Sequence, residues 1–297
     1  MQVSRATYDY SVVRDDNRPN PPSGDLVTAN VTALSRAPNK TQMETKLPTS
    51  LYLKHKIIGT LLEKPIRKLG WILGAYQRYK HPELWELYLE DYRLSLILQK
   101  VLRKDSCCVD VGCHIGSFIS AALALAPAGN HSAFEPSRVR AMWLKKKFYD
   151  KVQIFQRVVG DSSGTCTFNE DLLMPGYSSV TIRSERPLHS YEVMASRLDD
   201  VLEGKRIDLI KVDVEGEELA VLRGARSILH SLHPKVIFEC GYGHLHRVEV
   251  FNELQSIGYS IYTFGDFLFQ RGPIELAEFK RCAIYPFRAF NFIATAE

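Results

Sequence analysis

The 297-residue sequence has no apolar run of membrane-spanning length, no internal repeat, and only six cysteines, which are scattered rather than paired. The adjacent Cys107 and Cys108 point to opposite faces of a strand. This argues against both a disulfide framework and a zinc knuckle, so the thiols read as reduced. An excess of one charge is also missing: Lys+Arg 38 against Asp+Glu 34 leaves a net +4, too little to recruit nucleic acid by itself. The opening "MQVSRATYDYSVVRDDNRPN" lacks the uninterrupted apolar core of a secretion signal, and the expected location is the cytoplasm. With 45% hydrophobic residues, what remains can bury one large core or two modest ones.

Three regions follow from composition. Residues 1–48 are rich in Asn, Pro, Ser and Thr without apolar periodicity, as expected of a flexible tail. Residues 49–104 form a helical extension. Its first part, 51–80, reads as helix broken near Pro65 and Gly70, apolar on one side and basic on the other. Two roles fit: a helix packed on the catalytic domain, or peripheral docking onto a membrane or protein through Trp71 and Tyr76. A second helix is expected over 81–104.

From residue 105 onward strands and helices alternate: strands over 107–111, 132–135 and 152–159, with helices over 117–125 and 138–148 between them. Strands over 207–214 and 235–239, a helix over 247–256, and strands over 260–264 and 287–294 complete the pattern. The expected fold is α/β and Rossmann-like: a mostly parallel seven-stranded sheet with helices on both faces and an antiparallel pair at its end.

"VDVGCHIGSF" joins the first strand to its helix, and Gly112 and Gly116 allow a tight turn beneath a ligand at the helix N-terminus. Dinucleotide binders place a first glycine where this chain has Asp110, and a phosphate there would be repelled. A cofactor with a cationic ammonium and no phosphate suits Asp110, and S-adenosylmethionine is one. Glu135 in "AFEPS" ends the second strand and reads as a ribose anchor. Asp161 in "VVGDSSG" reads either as an adenine contact or as a turn-former.

"KVDVEGEELAVLRGA" places charges at a strand-to-helix junction. Side-chain alternation puts Lys211, Asp213 and Glu215 on one side and Val212 and Val214 on the other. Such a strand neighbours the first one, so Asp213 and Glu215 face the cofactor crevice, with Glu239 at the end of "PKVIFEC" on its far lip. A structural ion pair with Lys211, or a charge at a helix N-terminus, is the competing reading.

Through "VDVGCHIGSF", "AFEPS", "VVGDSSGTCTF", "SRLDDVLEGKRIDLIKVDVEGEELAVLRGA" and "PKVIFEC" the chain resembles the FkbM-type, S-adenosylmethionine-dependent methyltransferases over roughly residues 81–270. The resemblance implies a methyltransferase domain over 105–297, acting on hydroxyls of sugars or secondary metabolites. It implies cofactor contacts at Asp110, Gly112, Gly116, Glu135 and Asp161, joined by their motif neighbours Cys113, Ser117 and Pro136, and places Asp213 near the transferred methyl. The loop departs from the family in carrying Cys113-His114 where Ala-Asn is common.

Methyl transfer is an in-line displacement that also needs a proton removed from an alcohol. The candidate catalytic groups are Asp213, Glu239 and His244, with His189 and His246 as further histidines within reach; Tyr177, Glu215 and His246 are expected to line the acceptor site. "LLMPGYSSV" over 172–180 is the candidate lid. Cys240, His244 and His246 lack a fourth ligand at zinc spacing, so no metal is expected. The expected partner is a small-molecule or carbohydrate substrate. The alternatives are an RNA 2′-O-methyltransferase, which the acidic "NEDLLMPGYSSV" argues against, and a non-catalytic binding module.

Overall fold

The computed structural model describes residues 48–171, 188–241 and 243–296. Its strands, in chain order, are β1 (Cys108–Val111), β2 (His131–Phe134), β3 (Val152–Phe155), β4 (Val158–Val159), β5 (Gly164–Glu170), β6 (His189–Ser196), β7 (Leu209–Val212), β8 (Lys235–Glu239), β9 (Tyr259–Thr263) and β10 (Asn291–Ala296). Seven of them make one sheet in the order β3-β2-β1-β7-β8-β10-β9. β10 runs antiparallel to both its neighbours and all other pairings in this sheet are parallel, which is a doubly wound, Rossmann-like α/β fold. Every residue of β1 and β2 is buried, as expected for parallel strands covered on both faces.

Strand alternation divides the core. Val109, Val111, Ile210, Val212, Val236 and Phe238 face one layer, packed against the helices that follow β7 and β8. Cys108, Leu209, Ile237 and Ile293 face the other, with Phe118 and Ile119 of helix Ser117–Leu125 and Leu144 of helix Arg138–Phe148. Asp110, Lys211, Asp213 and Glu239 continue this second parity toward the strands' C-terminal ends.

The N-terminal helices join this second layer. Ile97 and Leu98 of helix Glu90–Val101 lie in its core, and Leu84 and Leu87 pack on Phe287 and Phe290. Helix Thr49–Ile57 sets Leu51 against Ile115 of the glycine loop and buries His55 beside Trp143.

Four expectations shift. The strand expected over 152–159 divides into β3 and β4, and β4 belongs to a separate three-stranded sheet of order β4-β6-β5 that sequence periodicity does not reveal. The final strand starts at Asn291 rather than 287. Helix 51–80 breaks after Ile57 and at Gly74, and neither Pro65 nor Gly70 breaks it. Pro65 is the third residue of helix Glu63–Leu73, where a missing N–H costs no intrahelical hydrogen bond. The helix expected over 81–104 is likewise interrupted, at Leu89.

Candidate active site

The turn after β1 has three residues in the left-handed region: Gly112 (φ +80°), His114 (φ +51°) and Gly116 (φ +85°). At Gly112 a Cβ would lie 1.8 Å from the Asp213 carbonyl oxygen, so only glycine lets this turn sit flush against the end of β7. At Gly116 a Cβ would meet Leu144 and Phe148 within 3 Å, which brings the start of helix Ser117–Leu125 hard against helix Arg138–Phe148. The amides of Gly112 and Cys113 both donate to the Phe134 carbonyl, at 3.1 and 3.0 Å. The loop is therefore fixed on two sides before any ligand enters.

Asp110 is 1% exposed, and neither of its carboxylate oxygens has a full hydrogen-bond partner, although the Cys113 thiol and the Ile119 amide lie close enough to favour its ionised form. Burial raises its pKa, and the Lys211 ammonium on the neighbouring strand works against that rise. The two residues are register partners, Asp110 on β1 and Lys211 on β7. A buried acid with unfilled acceptor positions next to a glycine turn suits a cationic group such as an ammonium and disfavours a pyrophosphate. The Cys113 thiol, buried against Asp110 and Glu135, is pushed well above its ordinary range, so it stays a neutral thiol.

Glu135 takes hydrogen bonds from three protein donors: the His114 amide at 2.8 Å, the Ser137 amide at 2.9 Å and Arg140 Nε at 3.0 Å. It thus ties the glycine loop to helix Arg138–Phe148, whose N-cap is Ser137. A carboxylate has about four acceptor positions, so one remains for a ligand hydroxyl. Pro136 lies between Glu135 and that cap, half-buried, as is Ser117 at the start of its helix.

At the ends of β7 and β8 the charges converge. Lys211 Nζ donates to Asp213 Oδ2 at 2.8 Å, with both side chains mostly buried. Asp213 and Glu239 stand opposite one another, one residue beyond the Val212–Phe238 pair. Burial alone would raise the Asp213 pKa, but Lys211 overrides it and holds the carboxyl below its usual range, helped by a hydrogen bond from Glu239. Glu239 goes the other way: burial, then the charges of Asp213, Glu215 and Glu90, push it well above the ordinary range. Despite its own burial, Lys211 is raised by Asp213, Asp110 and Glu239. His114, with Nε2 buried and unpartnered, is driven down to about 3 by burial and by Arg140, and is therefore a neutral imidazole in the physiological range.

Residues 110–261 match the model of the methyltransferase FkbM domain, a span reaching from Asp110 of β1 to the middle of the edge strand β9. The chain belongs to the FkbM methyltransferase family. No curated protein matches it. Among solved structures it is similar to the methyltransferase FkbM of Methylobacillus flagellatus KT, with 17% identity over 65% of this chain and 44% of that one, at a TM-score of 0.44. It is also similar to a SAM-dependent O-methyltransferase of Thermotoga maritima, with 12% identity over 68% and 63% of the two chains, at a TM-score of 0.38. A third is the fibrillarin pre-rRNA processing protein of Methanococcus jannaschii, with 11% identity over 66% and 68%, at a TM-score of 0.36. The chain thus spans less than half the length of the Methylobacillus protein.

Within this FkbM domain the remaining candidates are spread out. Glu215, at φ +54°, ends the alternation after Asp213, so it does not continue the Lys211–Asp213 side as a strand residue would. His244 Nε2 meets Glu218 Oε2, and its Nδ1 is buried without a partner. His246 is exposed beside Glu249, and Asp161 lies in the exposed turn after β4 rather than at the end of a main-sheet strand. His189 begins β6 in the small sheet. Tyr177 and the candidate lid 172–180 lie outside the described residues.

Sequence reasoning passed over Glu218, whose Oε1 accepts from the amides of Val214 and Gly216, each at 3.1 Å, while its other oxygen orients His244. Its place as the first helical residue after a glycine turn was the available signal. Glu90 was also missed: it accepts from the Phe290 and Asn291 amides at 2.7 and 3.1 Å and from Asn291 Nδ2 at 3.0 Å, on the far side of Glu239. A helix residue 200 positions before its partners gives no sequence signal.

Proposed function

We propose that the chain transfers a methyl group from S-adenosylmethionine to a hydroxyl of a small polyhydroxylated acceptor, a sugar or a secondary metabolite. The observation that carries this reading is the pair of buried carboxyl groups at the ends of neighbouring strands, Asp213 and Glu239, with Lys211 Nζ donating to Asp213 Oδ2 at 2.8 Å and the two acids pushed in opposite directions by their surroundings. Neighbouring acids with opposed pKa values are the usual mark of divided acid and base roles.

When bound, S-adenosylmethionine supplies a methyl group activated by a positively charged sulfur. Asp110 holds the cofactor's ammonium, Gly112 lets the loop pass beneath it, and the remaining acceptor position of Glu135 takes a ribose hydroxyl. On the acceptor side, an alcohol oxygen becomes far more acidic as it bonds to a third atom, so a weak base suffices to take its proton. Asp213 is that base. Lys211 keeps it ionised until the proton arrives and, by donating to Oδ2, fixes its orientation. The neutral His114 offers its unpaired ring nitrogen to a second hydroxyl.

The substrate class is supported by the polar lining: Asp110, Asp213 and Glu239 stand around Lys211 at the strand ends, a setting rich in acceptors for the hydrogen bonds of neutral hydroxyls. The test is incubation with methyl-labelled S-adenosylmethionine and a panel of sugars, hydroxylated metabolites and RNA. Label on an oxygen of a small acceptor is the expected result; label on RNA, or cofactor binding with no product from any acceptor class, contradicts the reading.

A further inference from the structure

None of residues 59–83 is buried, whereas Ile58 and Leu84 at either side of them are. Ile58 packs with Leu51 on Ile115, and Leu84 with Leu87 on Phe287 and Phe290. The segment is anchored at both ends and meets solvent between them. Within it, helix Glu63–Leu73 sets Ile66, Leu69, Ile72 and Leu73 along one side and Glu63, Lys64, Arg67 and Lys68 along the other. An amphipathic helix ordinarily turns its apolar side to the core. Here Leu69 and Ile72 are more than half exposed, Leu73 is 74% exposed, and Leu61 in the preceding turn and Tyr79 in helix Ala75–Lys80 reach 96% and 85%.

The charge of this segment is as uneven as its hydropathy. Residues 59–83 hold Lys64, Arg67, Lys68, Arg78 and Lys80 against Glu63 and Glu83, a net +3 in a chain whose whole charge is +4. Two of these cations rest on rings: the Arg78 guanidinium lies 3.7 Å from the centroid of Trp71, and Lys80 Nζ 5.1 Å from that of Tyr76. Trp71 in turn meets Trp85 edge-on at 6.1 Å.

We propose that residues 59–83 dock the protein onto an anionic lipid surface. An apolar row fringed by lysine and arginine, with Trp71 among those cations and Tyr76 and Tyr79 on the following helix, matches the layering of a bilayer interface, where acyl chains, amphipathic rings and acidic headgroups succeed one another. A second copy of the chain suits it poorly, because a two-fold contact through this patch would set like charge against like. The contact is interfacial, since no helix among the described residues is long and apolar enough to cross a membrane. This inference goes beyond methyl transfer and stands whatever the acceptor is.

Vesicle co-sedimentation of the full chain tests it, using phosphatidylcholine alone and phosphatidylcholine mixed with phosphatidylglycerol. The expected result is binding to the mixed vesicles that weakens with added salt, and little binding to the neutral ones. Lys64→Gln, Arg67→Gln and Lys68→Gln together should lower partitioning roughly 10²-fold, at about fivefold per cation. Leu69→Asp with Leu73→Asp should lower it at least about tenfold while leaving the melting temperature and cofactor binding unchanged. Equal binding to both vesicle types, or to neither, overturns the proposal. So does a dimer in sedimentation velocity that the Leu69→Asp, Leu73→Asp variant converts to a monomer, which would assign the patch to self-association.

Discussion

At Asp110, burial and charge act against each other, and the balance has a measurable sign. In the protein alone burial holds its pKa above the ordinary carboxyl range, while a bound ammonium favours the ionised form. Cofactor binding should therefore release a proton at pH values below the raised pKa. Affinity should climb with pH until Asp110 is ionised, and then level off. Calorimetry in buffers of different protonation enthalpy checks this, and Asp110→Asn should abolish the proton release and weaken binding by about 1–3 kcal/mol. Asp213→Asn keeps the shape and removes the charge; turnover should fall by roughly 10²-fold or more with cofactor affinity little changed, which separates a role in the chemical step from one in binding. Gly112→Ala combines a left-handed backbone with a 1.8 Å encounter with the Asp213 carbonyl, so thermal unfolding should show a loss of about 2–4 kcal/mol. Asp110, Asp213 and Glu239 were legible from the chain because strand parity and sheet order alone bring strand ends together. His114 was not, since its role depends on a left-handed turn and on Arg140 of the next helix.

Helix Thr49–Ile57 makes the clearest prediction among the secondary-structure elements. His55 is buried between Ile115 and Trp143, and its pKa falls from 6.5 to about 4 because of burial first, then Lys147 and Lys56. The unfolded chain takes up a proton near pH 6.5, but the docked helix does not until about pH 4. The docking stability is thus fully present above pH 6.5 and declines as pH falls through the window from there toward about 4. Hydrogen exchange at residues 49–58 should accelerate across it, and His55→Gln should remove the pH dependence. The same contact explains why the helix could be read from sequence while its partner could not: amphipathicity shows that a face is apolar, not which loop it covers. The split of 152–159 into β3 and β4 was hidden for a related reason. Two extended runs of similar composition look continuous until Gln156 and Arg157 redirect the chain into a second sheet.

For the molecule as a whole, the sheet converges acidic groups at one end, and the N-terminal region closes around that end from two sides, through Leu51 on the glycine loop and Glu90 beside Glu239. The exposed basic segment between those two anchors connects them, so the proposed lipid-docking patch adjoins the elements that brace the candidate cofactor site. The central claim is that this end of the sheet holds S-adenosylmethionine through Asp110, and it can be tested without knowing the acceptor. Calorimetric titration of the full chain with S-adenosylmethionine and, separately, with NAD is the most direct measurement. A single-site heat for S-adenosylmethionine that Asp110→Asn weakens, with none for NAD, is the predicted result; heat for NAD with none for S-adenosylmethionine would contradict the account.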